Sequence, residues 1–383
     1  MAGDEARPLR VALVTSSYNF IADGVALTLN RLVGYLETHG VEVLVFAPTA
    51  GQAALAHQGR LVSVPSIPLP GRPEYRLAWG LPGTLKRQLL DFQPDLVHIA
   101  VPDLLGHAAL SLAMNNNIPA VASYHTRYET YLRHYWYLAG LERVLKHILR
   151  RFYGRCREVY VPSASVHQAL LADGLKDNFR PWPRGIDTGR FTPQKRSLEW
   201  RARHGIGPDE LVVLHVSRLV REKRLDTLTA ALNRITLPHR AVIVGDGPDR
   251  RLAEGALPNA IFTGFVDGEE LAAAYASSDI FVFPSDSESF GNVTLEAMAS
   301  GLPCVCADAT GSRSLVVAGQ TGFLAPADDA DAFASHLAKL AADPALRRRM
   351  GEAARARALA FSWDETMARM LGYYHGLLGA RLP

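Results

Sequence analysis

The chain has 383 residues, too long for one ordinary hydrophobic core and suited to two domains. Hydrophobic residues make up 48% and charged residues 21%, with no low-complexity tract, which excludes a disordered or fibrous protein. The net charge of +3 is too small to argue for nucleic acid, yet it is unevenly spread: residues 1–190 hold 20 Lys+Arg against 15 Asp+Glu (+5), and residues 191–383 hold 21 against 23 (−2).

The opening M-A-G-D-E-A-R-P-L-R lacks the apolar core of a signal peptide and runs straight into a strand. No window approaches the ~18 uninterrupted apolar residues of a membrane span. Cys156, Cys304 and Cys306 form no metal or disulfide framework, and the alternating Cys304 and Cys306 read as core. The expectation is a soluble cytoplasmic protein.

Alternating strand and helix signals run the whole length. The expected strands in the first half are 11–16, 41–47, 61–64, 95–100, 120–125 and 158–162. In the second half they are 211–217, 241–245, 261–264, 279–283, 304–307 and a short piece near 322–324. Apolar, Val-rich runs separated by helical segments predict parallel sheets covered on both faces. Two such sets predict an α/β protein of two doubly wound domains, 1–190 and 191–360, facing a central cleft. The periodicity breaks at G-I-D-T-G-R-F-T-P, between Asp187 and Pro193. Ligand is expected in the cleft.

Several stretches bear on chemistry. The first strand leads through T-S-S-Y-N-F-I-A-D-G to a helix that opens at Gly24, where a bare backbone can serve as a plain turn or approach a phosphate. His125, in S-Y-H-T-R, stands at the carboxyl end of a buried strand, although a lone His is more often structural. Residues 127–157 hold eight Lys+Arg, two Glu and a cluster of Tyr and Trp. They read as amphipathic helices whose aromatic faces pack inward, or as a basic, aromatic surface for an anionic membrane. In H-V-S-R-L-V-R-E-K, Arg218 follows a strand and Lys223 lies five residues on, so two cations can face a diphosphate.

V-I-V-G-D-G-P allows a tight loop at Gly245, and T-G-F-V places Phe265 and Val266 after a strand. Residues 279–301, D-I-F-V-F-P-S-D-S-E-S-F-G-N-V-T-L-E-A-M-A-S-G, open as a buried strand and close as a helix. Glu288 therefore sits at the carboxyl end of a strand, where open α/β sheets bind ligands. Glu296 follows eight residues later, inside the helix.

The glutamate pair at that strand–turn–helix junction, with S-F-G-N and L-E-A-M-A-S-G-L-P around it, resembles the retaining nucleotide-sugar glycosyltransferases of family 4, which have the GT-B fold. The resemblance covers nearly the entire chain. It implies that Arg218 and Lys223 hold the diphosphate and assist its departure, that Glu288 binds sugar hydroxyls, and that Glu296 binds ribose. It implies that Phe290, Gly291, Asn292 and Val293 present backbone amides, that His125 contacts the donor sugar, and that Gly24 lies near the diphosphate. Family members often carry a Gly-Gly pair where this chain has Asp23-Gly24. Gly245 is placed near the nucleotide, and Phe265 and Val266 near the base. No metal or other cofactor is expected, and the terminal segment 361–383 is expected to cross back to the first domain. A-D-G-V-A-L-T-L-N-R-L and S-Y-H-T look most like the branch of mannosyl-, glucosyl- and sulfoquinovosyl-diacylglycerol synthases. That implies a lipid acceptor, with a UDP-hexose or UDP-hexuronate donor ahead of GDP-mannose, and peripheral attachment to the inner face of the plasma membrane. A nucleotide-sugar epimerase or a non-catalytic sugar-nucleotide-binding protein are the rivals from other classes.

Overall fold

The structure, a computed structural model, describes residues 7–21, 23–69, 72–125 and 142–379. The first domain runs β1 (Arg10–Val14), α1 (Gly24–Thr38), β2 (Glu42–Pro48), β3 (Arg60–Val64), β4 (Ser66–Leu69), β5 (Arg72–Ala78), α2 (Gly83–Asp91), β6 (Leu96–Ile99), α3 (Leu104–Asn115), β7 (Ala120–Ser123), α4 (Glu142–Tyr153), β8 (Val159–Val161), α5 (Ala164–Ala172) and β9 (Phe179–Pro181). Seven of its strands form a parallel sheet in the order β3-β2-β1-β6-β7-β8-β9, and β4 pairs with β5 as an antiparallel hairpin.

The second domain runs α6 (Leu198–Arg203), β10 (Val212–Val216), α7 (Leu225–Arg234), β11 (Arg240–Val244), α8 (Arg250–Ala256), β12 (Ile261–Gly264), α9 (Gly268–Ala276), β13 (Ile280–Phe283), α10 (Asn292–Ala299), β14 (Cys304–Ala307), α11 (Thr310–Leu315), β15 (Gly322–Ala325), α12 (Ala330–Ala342) and α13 (Pro344–Ala358). A final helix, α14, spans Trp363–Leu378. The second sheet is also parallel, in the order β12-β11-β10-β13-β14-β15.

Period-two alternation sends side chains of one strand into two cores. Ala12 and Val14 of β1 enter the cluster beneath α3, α4 and α5, while Val11 and Leu13 enter the one beneath α1. In β10, Val212, Leu214 and Val216 join one cluster and Val213 the other. Each sheet reverses strand order once, between β1 and β6 and between β10 and β13. A ligand crevice opens at the carboxyl edge of such a reversal, so the segments after β1, β10 and β13 are the ones that topology assigns to a site.

Helix α14 belongs to the first domain's core: Met367, Met370 and Tyr374 pack with Leu29, Val33 and Leu36 of α1. The Tyr374 hydroxyl meets Nδ1 of the buried His98 at 2.6 Å. The chain thus passes between domains twice, and the two passages touch. The Ile186 N–H donates to the Phe361 carbonyl at 2.9 Å, and a Cβ on Gly185 would fall 2.5 Å from the Trp363 ring.

The hairpin β4–β5 and the strand β9 were not among the expected elements. Each contains proline (Pro68, Pro73 and Pro181), which cannot donate to a ladder and is confined to sheet edges. β9 is indeed the edge of the first sheet.

Candidate functional site

Lys223 lies in a one-turn 3-10 helix, Arg221–Lys223, rather than in the α-helix that follows it. Its Nζ pairs with Oε1 of Glu288 and lies 5.8 Å above the ring of Phe283. The pair joins the segment after β10 to the segment after β13, across the strand reversal, and both side chains stay partly accessible. Glu288 is seated from behind. The Thr310 hydroxyl donates to its carbonyl at 3.2 Å, and a Cβ on Gly311 would lie 2.8 Å from the Glu288 Cβ. The hydroxyls of Ser285 and Ser287 donate to the Glu222 carbonyl at 3.4 and 3.3 Å, tying the two loops together again. Arg218 is about half exposed, and its Nη2 stands 3.8 Å from Glu222 Oε1, so its guanidinium faces outward with charge to spare.

Gly245 has φ of +123°, and any side chain there would overlap the carbonyl of Ser217, the residue before Arg218. The Leu219 N–H donates to the Asp246 carbonyl at 2.8 Å. The glycine loop therefore shapes the turn that presents Arg218. Phe265 is 76% exposed at the carboxyl end of the edge strand β12, whereas Val266 packs partly against the core.

Helix α10 begins at Asn292 behind Gly291, whose φ is +93°, and among the described residues no side chain caps it. Its first amides are left for an external acceptor, and its dipole favours an anion there. The ring of Phe290 is buried against Phe361, so only its main chain is available to a ligand. At α1 the arrangement differs. Asp23 is the N-cap, its Oδ1 accepting from the N–H groups of Val25 and Ala26 at 3.0 and 2.8 Å. The Ser17 hydroxyl donates to the other oxygen at 3.0 Å. That accounts for Asp23 where a Gly-Gly pair was the pattern. The two helix starts meet across the cleft: a Cβ on Gly24 would lie 3.2 Å from Asn292 Nδ2.

Glu296 projects from α10 and accepts from the Tyr275 hydroxyl at 2.9 Å. It keeps some surface, but protein crowds its carboxyl, and burial pushes its pKa up to about 7. His125 is buried between domains. Its Nε2 meets Ser123 Oγ at 2.7 Å, its Nδ1 meets Nη2 of Arg184, and its carbonyl accepts from Ser289 Oγ at 2.7 Å. Burial, then the Arg184 charge, holds its pKa well below the ordinary histidine value.

Thus Gly24, Lys223, Glu288 and the start of α10 converge on one cleft, with Arg218 near it and Phe265 farther off, just past the edge strand β12. Among the described residues no cluster of His, Cys, Asp or Glu is arranged to hold a metal, and no helix is long and apolar enough to cross a membrane. Of the basic aromatic stretch, residues 127–141 lie outside the described residues. Residues 142–153 form α4, which does two things. Leu149, Phe152 and Tyr153 pack into the first domain's core, while Val144 and Ile148 stay exposed beside Arg143, His147 and Arg151.

Arg184, Ser289, Gly311 and Tyr275 were not anticipated. The serines of S-D-S-E-S were a readable signal; Arg184 gave none, because P-R-G-I-D reads as a linker.

Two family models cover the chain: Glycosyltransferase Family 4 matches residues 22–190, and Glycosyl transferases group 1 matches 197–357. A GDP-mannose-dependent alpha-mannosyltransferase of Mycolicibacterium smegmatis is 36% identical over 97% of this chain and 99% of its own length. The chain belongs to glycosyltransferase family 4. This makes it a retaining glycosyltransferase, and its two Rossmann-like domains are the GT-B fold. The sulfoquinovosyl transferase SQD2 of Arabidopsis thaliana is 33% identical over 93% of this chain and 71% of its own length. Among solved structures, a sucrose-phosphate synthase of Thermosynechococcus elongatus has a similar fold, with a TM-score of 0.82, 24% identity, and coverage of 97% of this enzyme and all of that chain. The relatives place this glycosyltransferase with enzymes that use sugar-nucleotide donors and lipid or glycan acceptors.

Proposed function

We propose that the enzyme transfers a hexose or hexuronate from a nucleoside diphosphate sugar to a hydroxyl of a membrane lipid, with retention of anomeric configuration. The observation that carries this reading is the Lys223–Glu288 pair, held at the strand reversal where α1 and α10 begin face to face. Lys223 and Arg218 would neutralise the diphosphate and the charge that grows on it as the glycosidic bond breaks. The open amides of Asn292 and Val293 would accept phosphate oxygens. Glu288 would accept from sugar hydroxyls, and Glu296 from the ribose diol. The two cations would do the work of a metal, so activity is expected to survive chelation. Without a carboxylate pair flanking the scissile bond, catalysis would rest on positioning and charge stabilisation, with the leaving phosphate taking the acceptor's proton.

The sequence motifs favour a UDP-sugar. A second reading, GDP-mannose, is supported by the mannosyltransferase relative that aligns along its whole length, and the donor panel should begin with both. The lipid acceptor is supported by the outer face of α4, where Val144 and Ile148, one turn apart, lie between basic residues as a peripheral membrane helix requires. Attachment to the inner face of the plasma membrane from the cytoplasm is the corresponding location.

The test is a panel of UDP- and GDP-sugars read by thermal shift and nucleotide release, with and without vesicles containing anionic lipid. The true donor raises the melting temperature by mass action, and vesicles then stimulate release. If a donor binds and only soluble sugars or proteins trigger release, the lipid acceptor is wrong. Glu288→Ala and Lys223→Ala should each abolish most turnover; a Glu288→Ala enzyme with unchanged activity and donor binding would sink the site assignment.

A further inference from the structure

Resting on that reading of the site, we propose that Arg184 is a positioning residue. It fixes His125 as a neutral imidazole with its proton on Nε2, so that the ring, held at both nitrogens, shapes the wall of the donor-sugar pocket and takes no part in moving the acceptor's proton.

The tautomer follows from what each group can donate. A guanidinium has only donors. Arg184 Nη2 is bonded to His125 Nδ1, so Nδ1 must be the acceptor and cannot carry the ring proton. The proton therefore sits on Nε2, which donates to Ser123 Oγ at 2.7 Å. Protonating Nδ1 would set two positive groups against each other in a buried space, because Arg184 and His125 are 5% and 7% exposed. The ring is also held by Trp182, whose indole lies edge-on to it at 5.8 Å and beneath the Arg184 guanidinium at 5.4 Å.

The charged and titratable groups around the pair do not offset this. Arg184 and His98 both act on His125 to oppose a positive ring. Asp23 acts on Arg184 and supports its charge. Its oxygens, however, are taken by Ser17 and the first amides of α1. Arg184 Nη1 is left buried without a hydrogen-bond partner among the described residues. A buried, unsatisfied charged donor is costly.

The experiment uses the full chain labelled with 15N and 13C in histidine, with the His125 signals identified by their loss in His125→Gln. In the wild type, His125 should show the Nε2–H neutral tautomer with no titration between about pH 5 and 8, the window in which free imidazole changes charge. Arg184→Gln keeps a donor to Nδ1 and removes the charge. Burial still opposes a charged ring, so the His125 midpoint should rise from its wild-type position toward that window, and kcat should fall roughly 100-fold as positioning is lost, with the donor KM changed far less. The pH–rate profile should gain an acid limb at the midpoint of the new titration. Arg184→Lys, which keeps the charge, should leave His125 untitrated and recover part of kcat. A wild-type His125 that carries its proton on Nδ1, or that titrates in this window, overturns the proposal. So does an Arg184→Gln enzyme with unchanged kcat and a silent His125. If Arg184→Gln does not fold, the wild-type tautomer and the Lys variant decide. If no sugar nucleotide shifts the wild-type melt, the reading of the site fails, and the spectra still judge the link between Arg184 and His125.

Discussion

Glu296 holds its proton to about pH 7, because burial of its carboxyl outweighs the Tyr275 hydroxyl bonded to it and the Arg190 charge. If Glu296 holds the ribose diol as proposed, it must accept twice as a carboxylate, and donor binding would displace that proton. Affinity for the donor should therefore weaken as pH falls through 7, and binding should release a fraction of a proton, measurable by calorimetry in buffers of different ionisation heat. Glu296→Gln should bind more weakly and lose the pH dependence; a wild-type donor KM that is flat from pH 8 to 6 would remove Glu296 from the ribose. At this scale, legibility followed chain proximity. Glu288 and Glu296 stood out because a strand, a turn and a helix bracket them within one short stretch. Arg184 meets His125 across 59 residues, and Ser289 meets the same histidine across 164. Partners so distant in sequence leave no local pattern.

Among the elements, the β11–α8 turn illustrates how a glycine acts on a site it does not touch. Gly245 is free of a Cβ because the Ser217 carbonyl occupies that space, and its φ of +123° suits no other residue. Gly245→Ala must push away the turn that carries Arg218. We expect a loss of about 1–3 kcal/mol in stability, the usual cost of overpacking, together with a raised donor KM, readable by urea melts and steady-state kinetics. An Ala variant with wild-type KM would mean that Arg218 reaches the diphosphate by another route. The parallel strands were legible as apolar, β-branched runs, since burial on both faces leaves no polar alternation. The proline-bearing edge elements β4, β5 and β9 were not, because their sequence violates the propensity that identifies a strand. In the structure, side chains cap the starts of α1, α3 and α5, where Asp23, Asp103 and Ser163 accept from first-turn amides.

For the molecule as a whole, buried histidines set the response to acid. Burial holds His98 at about 3, His215 at about 4 and His125 also far below the ordinary value. Below about pH 6.5 the unfolded chain takes up protons that these folded histidines refuse, so stability falls as pH drops, by about 1.4 kcal/mol per unit for each group. Glu296 and Asp103 act oppositely, since burial raises both and the folded state holds their protons longer. Three histidines outnumber two acids, so the melting temperature should decline between pH 7 and 5. Calorimetry across that range would show it, and a rising melting temperature would mean that one of the histidines is charged in the fold. The double passage between domains has its own mechanical consequence. Because Ile186 is bonded to Phe361 and Gly185 is seated on Trp363, the two crossings behave as a single spine. A book bound along one spine opens and shuts easily but resists sliding of one cover over the other. The glycosyltransferase should accordingly have one soft degree of freedom, with its substrates entering and leaving along the fore-edge.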